Sequence, residues 1–420
     1  MADVCSLGVT VVELMTGEQP VASDRFEQAS NVGHLVVKKM CRQMISLDPS
    51  KRPRAVECLA QLEHIQHSDE YNECWPKRMV KGFMVAVKGG NMRKIREFVS
   101  KKPKEWKSVV DENGLYAIAV AIWKRYLGVI EYFLSMGWGI ESRVDKSGST
   151  GFLYAVYFGF VKGVNLFVER GCNIEAKNDK GNGALALACL GGHVTLAKKL
   201  IKMGLSVNET HQNDYIALHS ASSRGHVAIA AYLIENGANI EAETKLGYTP
   251  FLVACDCKRV GMVDLLTSKE CNIYAKSKQG DGAFAMASWN GDVELAEKLI
   301  QLGLDVNESQ SDGYTSLHWA CNKGHLKLAE FLIRNGAKLE VKSELGDTPF
   351  LVACNYQRVG VVDLLISKRC NIYAKRKRGD GALAMASWIG NVELAGKLIR
   401  LGLDVNETQA VGGQRNYQCL

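Results

Sequence analysis

Apolar and polar positions along most of this chain follow a rhythm that restarts every 33 or so residues. In the stretch GYTPFLVACDCKRVGMVDLLTSKECNIYAKSKQ, starting at Gly247, a turn glycine leads into Thr249-Pro250. Threonine is suited to cap a helix and proline to occupy its first turn. Phe251 to Cys255 then reads as a short apolar helix, followed by a polar turn. The segment GMVDLLTSK carries its apolar residues on one face and predicts a second helix. ECNIYAKSKQG runs on to the next glycine as an extended, hairpin-like finger. Other copies close the second helix with Gly237 or Gly336, placed to supply a left-handed C-cap.

Aligning the turn position gives Gly114, Gly148, Gly181, Asp214, Gly247, Gly280, Gly313, Gly346 and Gly379. The first step is 34 residues and each later one 33. A fixed period of this length marks a stacked repeat architecture. A longer period lies over it: residues 244–310 and 343–409, 99 apart, are about three-quarters identical, and 145–211 is a weaker third copy. A block of three repeats has been duplicated as a unit.

The residues DGYTSLHWACNKGHLKLAEFLIRNGAKLEVK (Asp312 to Lys342) resemble an ankyrin repeat almost throughout. LGYTPFLVAC and LGDTPFLVAC keep the Thr-Pro start, and GGHVTLAKKLIKMGLSVNE keeps the Gly-His turn and second helix. The resemblance covers some three-quarters of the chain. It implies an all-α ankyrin-repeat solenoid of helix-turn-helix repeats with hairpin fingers. Nine units are expected over 111–409, after a degenerate leading unit over 79–110 that contains Phe83 to Val99. Residues 410–420 begin a tenth finger and stop, so the array is expected to be incomplete.

The first 67 residues follow a different pattern. Val4, Leu7, Val11, Val12, Leu14 and Met15 recur as in a helix buried on more than one side. Asp3 stands where a secretory signal would carry positive charge, and Glu13 interrupts the apolar run. DVCSLGVTVVELMTGEQP and LDPSKRPRAVECL together resemble the end of a protein-kinase C-lobe. By that resemblance Asp3, Ser6 and Gly8 match the start of the lobe's central helix, and Arg52 matches an arginine that pairs with a glutamate of the activation segment. Cys5 replaces the usual aromatic. Residues 1–67 are thus read as a truncated lobe, helical and weakly held, with 68–78 as a linker. The chain contains no Gly-rich phosphate loop, Val-Ala-x-Lys strand, His-Arg-Asp, Asp-Phe-Gly or Ala-Pro-Glu motif. The sequence as given therefore holds no phosphoryl-transfer machinery.

Composition narrows the function further. A net charge of +7 spread over 420 residues is not that of a dedicated nucleic-acid binder, and no apolar run is long enough to span a membrane. The 13 cysteines are scattered in apolar stretches such as those of Cys189, Cys255, Cys321 and Cys354, which reads as reduced buried thiols in a cytoplasmic protein.

Each candidate site has a structural counterpart. His318, Cys321 and His325 are spaced as metal ligands could be, but both histidines, like His219 and His226, fall on framework positions. No metal and no cofactor is expected. The sequons at Asn208, Asn307 and Asn406 recur because the finger does, and GDG at 280 and 379 is a turn. Lys375, Arg376, Lys377 and Arg378 read as a nuclear-import or acidic-partner patch, or as a solvated fingertip. Nine residues past each turn position lie Trp123, Tyr157, Leu190, Ser223, Asp256, Trp289, Asn322, Asn355 and Trp388. By the ankyrin resemblance this position faces the concave groove. Its aromatics are candidates for binding a protein partner, or for packing on the neighbouring finger.

Two functions are carried forward. In the first, the chain is a non-catalytic protein-interaction scaffold acting in the cytoplasm, with passage into the nucleus allowed by the basic cluster; it binds protein rather than nucleic acid, membrane or a small-molecule substrate. In the second, it is the C-terminal part of an ankyrin-repeat serine/threonine or tyrosine kinase whose catalytic core lies upstream of Met1.

Overall fold

The computed structural model describes residues 77–101 and 105–405. These form twenty α-helices in ten successive pairs, with two short 3-10 turns and no extended strand among the described residues. The fold is all-helical, of the ankyrin-repeat solenoid type, and it divides into two compact units. One holds the described residues up to 155 together with 162–172; the other holds 156–161 and 173 onward.

In the first unit the leading pair, Lys77–Lys88 and Met92–Lys101, buries Phe83, Ile95 and Val99. Aromatic packing continues from it. Trp106 stacks on Phe133 with ring centroids 4.7 Å apart, and Trp138 lies 5.8 Å from Trp106 and 5.7 Å from Tyr116. The next pair, Ala117–Trp123 and Leu127–Ser135, adds Ile118, Val120, Ile122 and Ile130 to this core.

In the second unit the pairs repeat with little change. The first helix is short and nearly all buried: Pro250–Asp256 hides Pro250 through Cys255, and Pro349–Asn355 hides Pro349 through Cys354. Thr249 and Thr348 cap these helices as their sequence foretells, each hydroxyl accepting from the backbone N–H three residues on at 3.3 Å. Proline follows at the first helical position, where a missing N–H costs nothing. The second helix buries only one face: Met262, Val263 and Leu266 in Val260–Ser268, and Leu328, Ala329 and Leu332 in Leu326–Arg334. Each large apolar side chain so enclosed contributes about 1.5–3 kcal/mol relative to exposure.

The fingers are hairpin turns. Thr244, Ser277, Ser343 and Arg376 each donate a backbone N–H to the carbonyl four residues on, at 2.9–3.0 Å. Neighbouring fingers join edge to edge through Lys245 N–H to Asn213 O, Lys278 N–H to Leu246 O, and Lys377 N–H to Leu345 O. All nine aligned turn positions have positive φ, Asp214 included. At Gly247 and Gly346 a second constraint acts: a Cβ would sit 2.8 and 2.7 Å from the backbone nitrogen of the next finger.

The cysteines lie where the sequence places them. Cys189, Cys255, Cys321 and Cys354 occupy one framework position of the first helices and are fully buried; Cys172, Cys271 and Cys370 sit just past second helices and are also buried. Burial pushes every one of these thiols up, Cys271 and Cys370 to about 12 and Cys172 to about 11. They are unreactive in the native fold.

The proposed kinase-lobe segment (1–67, with Asp3, Gly8 and Arg52), the linker up to residue 76 and the tail 410–420 lie outside the described residues.

Candidate functional site

The first helices end where the candidate aromatics begin to face outward. Trp123, Tyr157, Trp289 and Trp388 each sit within the last two positions of a first helix and are 47%, 41%, 47% and 72% exposed. The neighbours immediately before the first three on the same helices, Ile122, Val156 and Ser288, are wholly buried, whereas Ser387, before Trp388, is exposed. In those three helices the chain packs up to this position and then exposes a ring. At the equivalent place Asp256 is exposed, while Ser223, Asn322 and Asn355 are half-buried.

Two of these rings have cationic cover. The Lys124 ammonium lies 4.2 Å from the Trp123 ring centroid, and that of Lys323 lies 3.2 Å from that of Trp289. Trp289 also meets Trp319 edge to face at 4.8 Å, and Tyr314 lies 5.3 Å from Trp319. Packing and exposure therefore coexist at Trp289: one edge rests on the next repeat and nearly half of the residue remains open. Trp388, the most exposed of the four, is joined by exposed Ile389 and Val392.

The histidines of the apparent metal pattern are tied to backbone. His219 and His318 each accept a backbone N–H at Nδ1, from Ile216 at 3.1 Å and Thr315 at 3.0 Å. Their Nε2–H groups donate to the carbonyls of Tyr248 and Asp347 in the following repeat, both at 3.0 Å. Both nitrogens are engaged in a neutral ring, and burial lowers both pKa values, that of His219 to about 4. His193 and His325 reach back instead, bonding the carbonyls of Tyr157 at 2.9 Å and Trp289 at 3.0 Å.

The sequon asparagines also have a framework role. Asn208 and Asn307 donate to the carbonyls of Gly237 and Gly336 and accept the N–H of Asn239 and Lys338, at 2.8–3.0 Å. One repeat on, the Glu241 and Glu340 carboxylates accept from Asn272 and Asn371 at 2.7 Å. The third position of this series holds Tyr274 and Tyr373, which are 62% and 63% exposed.

The basic fingertip splits. Arg376 pairs through Nε with the carboxylate of Asp347, whose side chain is 1% exposed. Its charge is spent within the array. Lys377 and Arg378 are exposed on the tip, in the finger that leads into the helix of Trp388. Sequence reasoning did not find Arg224, Lys258, Arg259 or Arg358, which lie exposed where first helices turn into second ones. Their signal was present in the 33-residue register but was diluted by turn residues of other kinds.

Among the described residues no helix is long and apolar enough to cross a membrane. The family model for ankyrin repeats (3 copies) matches residues 152–244, 185–279, 251–343, 283–376 and 317–409, more than half of the chain. No curated protein matches. Among solved structures, the human ASB11 ankyrin repeat domain is similar at 26% identity, with 52% of this chain and 97% of that one covered and a TM-score of 0.47.

Proposed function

This chain belongs to the ankyrin-repeat family, and on that premise we propose that it is a non-catalytic scaffold that binds a protein partner through its first-helix ends and fingers. The observation that supports this most directly is the exposure of Trp123, Tyr157, Trp289 and Trp388 at a position that other repeats fill with polar residues. A solvated helix end needs no tryptophan for stability, and half-exposed tryptophan and tyrosine are the side chains most often found carrying interface energy. The stack itself presents an extended surface and leaves side chains at these positions free to vary.

The division into a leading unit at 79–110 and nine repeats over 111–409 is part of this reading. So is a cytoplasmic site of action. The resemblance of Asp3, Gly8 and Arg52 to a kinase C-lobe rests on sequence alone and supplies no activity to this chain.

Replacing Trp289 and Trp388 with alanine should lower the affinity for a partner co-purified with the wild-type chain by about tenfold or more, with the thermal transition unchanged within about 2 °C. Equal recovery of the same partner by both chains, quantified by mass spectrometry, would assign the rings to packing alone.

A further inference from the structure

Cations on this array differ in what they meet. Several on second helices and finger flanks meet carboxylates: Lys177 with Glu209 and Lys276 with Glu308 at 2.7 Å, Lys298 with Asp264 at 2.5 Å, and Lys397 with Asp363. From Arg224 to Arg358, those at the junctions between paired helices make no ion pair among the described residues. Lys258 donates to the Asn290 carbonyl at 2.9 Å, Arg259 to the Ser223 carbonyl at 3.1 Å, and Arg358 to the Asn322 carbonyl at 2.9 Å. Lys323 lies on the Trp289 ring, and Arg224 is exposed with no ion pair. Backbone carbonyls orient these groups but leave their charge uncompensated. The acids along the same edge are fewer: Asp256 is exposed, and Asp292 is engaged in capping the N–H of Leu295 at 3.0 Å.

We infer that this junction edge, from Arg224 to Arg358 with Trp289 at its centre, docks an extended acidic segment of a protein. The inference rests on the scaffold reading and gives its partner a chemistry. Adjacent helices pack about 8–10 Å apart, so the four repeat steps from Arg224 to Arg358 span about 40 Å. An extended chain covers about 3.3 Å per residue, and about twelve residues match that length, with one carboxylate every third residue meeting each junction. Carboxylates pair with Lys258, Lys323 and the guanidinium groups, while an apolar side chain lies against the open part of Trp289. A nucleic acid fits less well. It carries a charge on every nucleotide, which Asp256 opposes, and single-strand binding uses a ring for each successive base, whereas the neighbouring first helices end in Ser223, Asp256, Asn322 and Asn355.

The test uses the full chain and three probes: a twelve-residue peptide of repeating Glu-Ser-Phe, the same peptide with glutamine for glutamate, and a twelve-nucleotide oligothymidylate. Tryptophan fluorescence and calorimetry read the affinities. The glutamate peptide is expected to bind more tightly than both others and to weaken as salt rises. Lys258→Gln and Arg224→Gln should each cost about two- to fivefold in affinity, and W289A about tenfold. Lys269→Gln, at the far end of a second helix, should change nothing. The Arg224 side chain makes no hydrogen bond or ion pair among the described residues, so its variant keeps the fold even where loss of the Lys258 to Asn290 bond disturbs it.

No binding of the glutamate peptide, equal binding of the glutamine peptide, tighter binding of the oligothymidylate, or an equal loss in K269Q would each overturn the inference. If a co-purified partner is lost with Trp289 and Trp388 but retained by the R224Q and K258Q chains, the scaffold reading stands and the acidic partner falls. If the glutamate peptide binds as expected while the tryptophan variants keep the partner, the reverse holds.

Discussion

The two copies of the duplicated block, 244–310 and 343–409, differ at about one position in four, and the differences fall on fingers, helix junctions and helices alike. In the first copy Tyr248 and Ser277 occupy the places that Asp347 and Arg376 hold in the second. Two neutral residues stand where the second copy has a buried ionic pair, both members being changed. The rings diverge too. Trp289 rests on Trp319 beneath Lys323, whereas the counterpart of Trp319 for Trp388 falls at position 418, outside the described residues. Two nearly identical strings of residues thus carry different electrostatics, because each side chain's partner comes from about one repeat away.

The comparison is broken most severely at the ionic pair. Arg376→Ser alone should cost about 3–5 kcal/mol, because it strands the Asp347 carboxylate without its partner. Adding Asp347→Tyr restores the arrangement of the first copy and should recover most of that loss. A double variant no more stable than the single one, by chemical denaturation, would show that the pair is not an interchangeable module.

Acid should next separate the duplicated blocks from the repeats around them. His219 and His318 start the first helices of repeats outside the Thr-Pro-Phe-Leu copies, and both are neutral in the fold. The unfolded chain holds more protons on these rings below the ordinary histidine value of about 6.5. Their contribution is therefore complete above about pH 6.5 and declines as pH falls toward the folded value of about 4 for His219. Hydrogen exchange at pH 5 should show 215–243 and 314–342 opening before 249–268 and 348–367. Uniform loss of protection, matched by His219→Gln and His318→Gln chains, would remove histidine as the cause.

The smallest effect tests what the copies share. Glu270 and Arg369 have φ of 57° and 61° where Gly237 and Gly336 close other second helices. Glycine at either site should stabilise by about 0.5–1 kcal/mol, since relief of left-handed strain exceeds the added freedom of the unfolded chain. Gains that differ between the two sites would mean the copies are held differently despite their common sequence.

The fold was readable because its determinants are local. A turn position with positive φ, a Thr-Pro cap and a one-faced second helix each announce themselves within a few residues, and the period multiplies the signal. The exposed rings followed from the same register, since a position that accepts Asp256 and Asn355 in some repeats is not core in others. Arg376 was misleading for the opposite reason. In the string AKRKRGDG it looks like one of four solvated cations, and only the stacking of fingers brings Asp347 to it. Lys258 and Gln357, both with positive φ at helix junctions where other repeats have glycine, were equally hidden. Left-handed strain in a non-glycine residue has no signature in composition. The roles of Asn208 and Asn307 could have been read from the series Asn208, Glu241, Tyr274, Asn307, Glu340, Tyr373, had the finger been aligned as closely as the helices.

The sealed cysteines make the array a recorder of its own breathing. Cys189, Cys255, Cys321 and Cys354 stand in separate repeats behind the same wall of side chains, so a small thiol-specific reagent reaches each only when its repeat opens. Labelling rates at these four positions, compared in one sample, map where along the stack opening begins and how far it spreads.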